Sequence, residues 1–209
     1  MSVSATHVCY HSGGCVKRWG HAEGAVDPEN DPLTCAAVDP HALGGSGRAY
    51  VGRASPEVIQ VDIGTGRVSL KADIAGPSCT AGTSVMVGGA PRGLLACGGY
   101  GGELALRDPR GKMRADVQLS TPAHSAGVSS IAAKGDLVVT CGYTTDRTGQ
   151  VVVDPFVKVV DVRVGARVLN VLQFPAGPVG VTFNPKYSSS VLLTSANGGG
   201  LYTFNAFHS

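Results

Sequence analysis

A chain of 209 residues has room for one sizeable domain or two small ones. Lys plus Arg number 17 and Asp plus Glu 15, so a net charge of +2 excludes an electrostatic footprint for nucleic acid or for a strongly acidic partner. Charged residues make up 15%, below the usual ~25%, hydrophobic residues 43%, and Gly 30 of the 209; this balance suits many short strands joined by tight turns.

The N-terminus has no basic region followed by an apolar stretch, so no signal peptide is read, and no run approaches the ~18 apolar residues of a membrane span. Six cysteines in a chain of this length point to free thiols in a reducing compartment, cytosol or nucleus, rather than a disulfide scaffold. Residues 1–13 are expected to be an edge strand or a disordered start. There, "HVCYHSGGC" offers His7, Cys9, His11 and Cys15, with His21 nearby. These are zinc-ligand types, but the paired spacing of a ribbon or finger is missing, so no metal site is assigned.

Residues 14–205 then repeat one shape, and 206–209 are read as a tail. Val16 to Gly20, with Trp19, follows Gly13-Gly14-Cys15. Val58 to Asp62 follows Pro56-Glu57, and Leu104 to Asp108 follows the glycine-rich Gly98 to Gly102. Val157 to Asp161 follows Asp154-Pro155-Phe156, and Leu201 to Asn205 follows Gly198 to Gly200. The copies end at 20, 62, 108, 161 and 205, with gaps of 42, 46, 53 and 44. An apolar strand precedes the later copies: Ala49 to Gly52, Leu94 to Gly98, Val138 to Gly142 and Leu192 to Ala196. Val, Ile and Thr recur, and Gly interrupts any helical run.

A period near ~40–45 with about four strands per unit is the signature of a WD-repeat β-propeller. Residues 124–161 carry it best: His124 opens the unit, Val128 and Ile131 form a first strand, and Gly135-Asp136 makes a turn. Leu137 to Thr140 follow, then the ending Asp154 to Asp161, with Val160-Asp161 where Trp-Asp often stands. Gly98 to Gly102 is therefore read as a turn: a phosphate loop would precede a helix, whereas this stretch precedes an alternating strand.

Each candidate for chemistry also has a structural reading. Cys97 and Cys141 occupy equivalent strand positions, which fits small core residues better than nucleophiles. Asp62, Asp108 and Asp161 recur at strand ends and are expected to cap turn amides. His124 fits a repeat-opening histidine bonded inside its blade rather than a general base. The stretch from Tyr143 to Val153 exceeds its sister connections, and Asp146 and Arg147 on it are the candidates for partner binding.

"GGYGGELALRDPRG", "HSAGVSSIAAKGDLVVTCGYTTDRTGQVVVDPFVKVVDVR" and "FPAGPVGVTFNPKYSSSVLLTSANGG", in that order, resemble the N-terminal WD-repeat propeller of the catalytic subunits of poly(A)-nuclease (Pan) deadenylation complexes. The resemblance covers about 48–205, and over 14–47 "GGCVKRWG" and its spacing fit. It implies a seven-bladed ring followed by a linker, a ubiquitin-hydrolase-like domain and a DEDD-type exonuclease domain. The expectation for this chain is all-β: an incomplete propeller of about four to five blades, without the first two or so and without the nuclease.

The function so implied is a non-catalytic protein-interaction scaffold of poly(A)-tail deadenylation in mRNA decay. It would dock the pseudokinase regulatory subunit and, indirectly, poly(A)-binding protein on poly(A) RNA, without a cofactor. Cytoplasm is the expected location, with the nucleus and P-bodies as other compartments. The alternatives are a WD-repeat scaffold of an unrelated assembly and a propeller hydrolase, for which no nucleophile and base are evident. An open arc of blades is expected to expose apolar faces at both ends and to self-associate.

Overall fold

The computed structural model describes residues 2–3, 8–12, 15–19, 30, 32–38, 47–55, 57–73, 79–86, 93–108, 117–165, 167–174, 176–184, 186–187, 189–196 and 199–206. Their only helical element is one 3₁₀ turn, Val162–Val164. Everything else regular is antiparallel strand, in five sheets.

The first sheet holds β1 (Ser2–Val3), β2 (Val8–Ser12) and β3 (Cys15–Trp19), so strands already form before residue 14. The second is a meander of β4 (Leu33–Val38), β5 (Arg48–Arg53), β6 (Glu57–Asp62) and β7 (Val68–Asp73). The third repeats it with β8 (Cys79–Met86), β9 (Gly93–Gly99), β10 (Glu103–Arg107) and β11 (Val117–Pro122). The fourth has β12 (Gly127–Lys134), β13 (Leu137–Thr145), β15 (Phe156–Asp161) and β16 (Arg167–Gln173), with the short β14 (Val151–Val153) paired to β13. The fifth holds β17 (Pro178–Phe183), β18 (Ser190–Ser195) and β19 (Leu201–Asn205).

The sequence copies coincide with the third strand of each sheet. Those strands end at Trp19, Asp62, Arg107, Asp161 and Asn205. The first strands of successive sheets lie against one another, β4 on β8, β8 on β12 and β12 on β17, with β1 touching β4. This is the stacking of propeller blades around an axis, and the five sheets form an incomplete propeller.

Burial follows from that stacking. A middle strand has a neighbouring sheet on each face, so β6, β10 and β13 read as almost continuous buried runs. The outermost strand β16 alternates strictly between exposed and half-buried. Leu104, Leu106, Val128, Val138 and Val160 close the seam between the third and fourth sheets. Val139, Val157, Val159, Val191 and Leu193 close the next seam. Each such side chain contributes about 1.5–3 kcal/mol relative to exposure.

The expected apolar end face is mixed in the fifth sheet. Val181, Val191 and Leu193 point into the seam. Alternation therefore places Thr182, Leu192, Thr194, Leu201 and Thr203 on the opposite face, with Thr182, Leu192 and Thr203 in register across the three strands.

Candidate functional site

One slot, set by strand register, has different chemistry in successive blades. Second-strand residues Val51, Cys97, Thr140 and Leu193 sit opposite third-strand residues Ile59, Ala105, Lys158 and Tyr202. Of these four pairs, only that of the fourth sheet joins a hydroxyl and an ammonium.

Around that slot the fourth sheet gathers His124 from the loop before β12, Thr140 from β13 and Asp154 from the connection into β15. His124 Nδ1 lies 2.8 Å from Asp154 Oδ2, and Nε2 lies 3.1 Å from Thr140 Oγ1. A carboxylate only accepts, so Nδ1–H donates to Asp154; in the neutral ring Nε2 then accepts from the Thr140 hydroxyl. Asp154 Oδ1 accepts from Phe156 N–H at 3.0 Å, and Lys158 Nζ stands 3.9 Å from Oδ2 while donating to Ala123 O.

The order hydroxyl, imidazole, carboxylate is that of a nucleophilic triad. Its burial denies it substrate: Thr140, His124 and Asp154 are 0%, 4% and 5% exposed. Burial, helped by the Lys158 charge, outweighs Asp154 and holds His124 below its ordinary pKa, so the ring stays neutral. Cys141 follows on β13, buried, and burial together with the Asp154 charge pushes its thiol up to about 12. Such a thiol is inert, and buried Cys97 packs with Tyr50, Val58 and Leu95.

The glycine-rich stretch serves this network. Gly98 is a β9 residue, and a Cβ there would come within 2.7 Å of Val128 in the next sheet. The turn itself is Gly99 to Gly102, closed by Gly102 N–H to Gly99 O at 3.1 Å. Gly102 has φ +77°, and a Cβ would lie 1.9 Å from His124 O. Its carbonyl accepts from Ala123 N–H at 2.9 Å and His124 N–H at 2.8 Å, so the third sheet's turn holds the loop that carries His124. At Gly142 a Cβ would lie 2.2 Å from Gly127 O and 2.5 Å from the His124 ring.

The long connection after Tyr143 is an ordered hairpin. β13 runs on to Thr145 and pairs with β14, Tyr143 opposite Val153 and Thr145 opposite Val151. Asp146 Oδ1 closes the tip by accepting from Thr148 N–H at 2.8 Å, Thr148 Oγ1–H at 2.6 Å and Gln150 N–H at 3.0 Å. These bonds hold the Asp146 carboxyl below the usual carboxylate range. Arg147 is exposed beside it. Tyr100, Val151, Val152 and Phe156 are exposed apolar residues of the third and fourth sheets.

The remaining candidates are spread over several sheets. Asp62 Oδ1 accepts from Thr65 N–H at 2.7 Å, and Asp161 Oδ1 from Arg163 N–H at 2.8 Å. The Arg163 guanidinium holds the Asp161 carboxyl low and lies 3.6 Å from Asp136 Oδ2. Asp108, half-buried, follows β10, so Asp62, Asp108 and Asp161 fall in three different sheets. Trp19 ends β3. His7 and His21 lie outside the described residues, as do the side chains of Cys9, His11 and Cys15; no three metal-ligating side chains cluster among those described.

Sequence reasoning singled out His124 and Asp154 but passed over Thr140, Lys158 and Gly142. The available signal was Thr140 within "LVVTCG", a hydroxyl where sister strands carry Val51, Cys97 and Leu193.

The family described as PAN2 N-terminal matches residues 35–205, a span that contains the buried network and the hairpin. This chain belongs to the PAN2 N-terminal family. The PAN2-PAN3 deadenylation complex catalytic subunit pan2 of Schizosaccharomyces pombe is 38% identical over 105 residues, 50% of this chain and 9% of that protein. The Gallus gallus PAN2-PAN3 deadenylation complex catalytic subunit PAN2 is 29% identical over 170 residues, 80% of this chain and 13% of that protein. The chain thus spans about a tenth of the length of these PAN2 relatives. The Neurospora crassa Pan2 WD40 domain superposes with a TM-score of 0.66 at 17% identity, over 96% of this chain and 56% of that one, a likeness of fold.

Proposed function

We propose that this chain is a non-catalytic interaction scaffold of the poly(A)-tail deadenylation machinery. One observation carries the reading: the PAN2 N-terminal match runs through the blades from residue 35 to 205. The relatives are named as catalytic subunits of a two-protein PAN2-PAN3 complex, and the part they share with this chain is the WD40 region. The chemistry of the chain supports a scaffold, because the triad-like constellation among the described residues is sealed inside a blade and the Cys141 thiol is held protonated.

In this reading the blade edges and connecting loops dock a pseudokinase regulatory subunit and, through poly(A)-binding protein, a poly(A) ribonucleoprotein. Affinity comes from a few buried anchors rather than from net charge. Cytoplasm, with P-bodies and nucleus, is the place of action. The test is co-purification of this chain with the regulatory subunit, each expressed separately. A stable complex with no poly(A) shortening by this chain alone is the expected result. Failure to co-purify, or poly(A) shortening by this chain alone, would remove the reading; shortening lost with Asp154→Asn or Thr140→Val would make the buried set a catalyst.

A further inference from the structure

Strand β14 uses only half of its backbone. In the hairpin, Asp146 N–H donates to Gln150 O and Asp154 N–H to Gly142 O, each at 2.9 Å. Antiparallel ladders alternate, so Thr144 and Val152 are the bonded pair between them, while Tyr143–Val153 and Thr145–Val151 are non-bonded pairs. The N–H and C=O of Val151 and Val153 therefore face away from β13. Among the described residues β14 pairs with no other strand.

Proteins normally blunt such an edge with lysine, proline or a bulge. Here it is three consecutive valines, with Val151 63% and Val152 38% exposed. The hairpin is already ordered by the Asp146 turn, so its own side of an added pairing costs little ordering entropy. The same edge is covered further along, where β16 pairs with β15 and ends with Phe174 N–H on Pro155 O at 2.6 Å. An added strand would continue the line of β16.

Charge indicates what the strand carries. The Asp146 carboxylate is occupied by three donors of its own turn, whereas Arg147 at the tip has no ion pair to a described residue. We propose that the outer edge of β14 is a strand-addition site. It takes an extended segment of a partner protein, with β-branched apolar residues at alternate positions and an acidic residue that meets Arg147. This inference stands on the hairpin alone, independently of any role in deadenylation.

The test is amide hydrogen exchange on the full chain, with short synthetic peptides that alternate valine and threonine and end in glutamate. In the free chain Val152 N–H is expected to be protected and Val151 and Val153 N–H to exchange fast. Peptide should protect both, and a twin N-methylated at the inward-facing amides should not. Val151→Pro removes an outward donor without touching the ladder to β13, and should weaken binding about tenfold while Thr144 and Val152 stay protected. Val151→Lys, which keeps the donor but blunts the edge, should also weaken it. Absence of protection at millimolar peptide, equal binding of the N-methylated twin, or wild-type binding by both variants would overturn the proposal. So would prior protection of Val151 and Val153 in a dimer of the free chain, which would make a second copy the occupant.

Discussion

The second and fourth blades share one architecture and are held together differently. Both are built on a four-stranded meander, to which the fourth blade adds β14, with a bulge in the register between the meander's third and fourth strands, at Gln60/Val61 and Val159/Val160. In the second blade the slot is Val51 against Ile59, both in an apolar cluster with Leu33 and Val61. In the fourth it is Thr140 against Lys158, braced by His124 and Asp154. An apolar slot tolerates truncation gradually, whereas a buried polar network stands or falls as a unit, because each lost member leaves another unpaired. The same backbone can thus be secured by packing or by a closed set of hydrogen bonds.

The largest expected effect breaks the polar slot. Asp154→Ala leaves His124 Nδ1–H and Phe156 N–H without their acceptor and should cost about 3 kcal/mol in urea unfolding. Converting the whole slot to the second blade's chemistry, with Thr140→Val, Lys158→Ile and His124→Leu added, should recover most of that loss. If the multiple variant is as unstable as the single one, the equivalence of the two slots is wrong.

Next in size is the space around His124. Gly142→Ala drives a methyl into Gly127 O and the imidazole, and should cost roughly 1–3 kcal/mol by thermal unfolding. Ile59→Val in the second blade should cost only about 1 kcal/mol.

The pH dependence reports on the polar fourth blade. His124 is neutral in the fold with its pKa lowered, while the unfolded ring takes up a proton near pH ~6.5. The unfolded state binds the extra proton, so stability is full above that pH. It should fall by up to about 1.4 kcal/mol per pH unit as pH drops below ~6.5 toward the folded pKa. Asp161, whose folded pKa is depressed by Arg163, supports the fold above pH ~4 and loses that support below it. His124→Gln should flatten the upper slope and leave the lower one, as read from urea midpoints across pH.

The smallest effect concerns the hairpin. Asp146→Ala should speed exchange of the Gln150 and Thr148 amides without moving the thermal midpoint, because the turn is exposed and local.

Much of the fold was legible because its repeat is local. The apolar run and its acidic or amide stop recur at the ends of four of the five third strands, at Asp62, Asp161 and Asn205 and just past Arg107 at Asp108. The site was only half legible. His124 and Asp154 stand out by type, but Thr140 and Lys158 acquire meaning only through the pairing of β13 with β15, a non-local register. Asp146 looked like a partner contact because a loop carboxylate usually faces solvent, and its bonds to Thr148 and Gln150 depend on a turn that composition alone does not show. Residues 143–153 did hold the signal: Thr144-Thr145 and Val151 to Val153 flank Asp146 to Gln150, which is the pattern of a hairpin.

Whether the hydroxyl–imidazole–carboxylate set is a brace or a catalyst decides between scaffold and enzyme, and nitrogen-15 NMR titration of the His124 ring tests it most directly. A brace predicts a neutral ring at pH 7, with the proton on Nδ1 and a titration that falls below the ordinary pH ~6.5. A ring that titrates freely at or above its ordinary value, as an accessible general base would, contradicts the account.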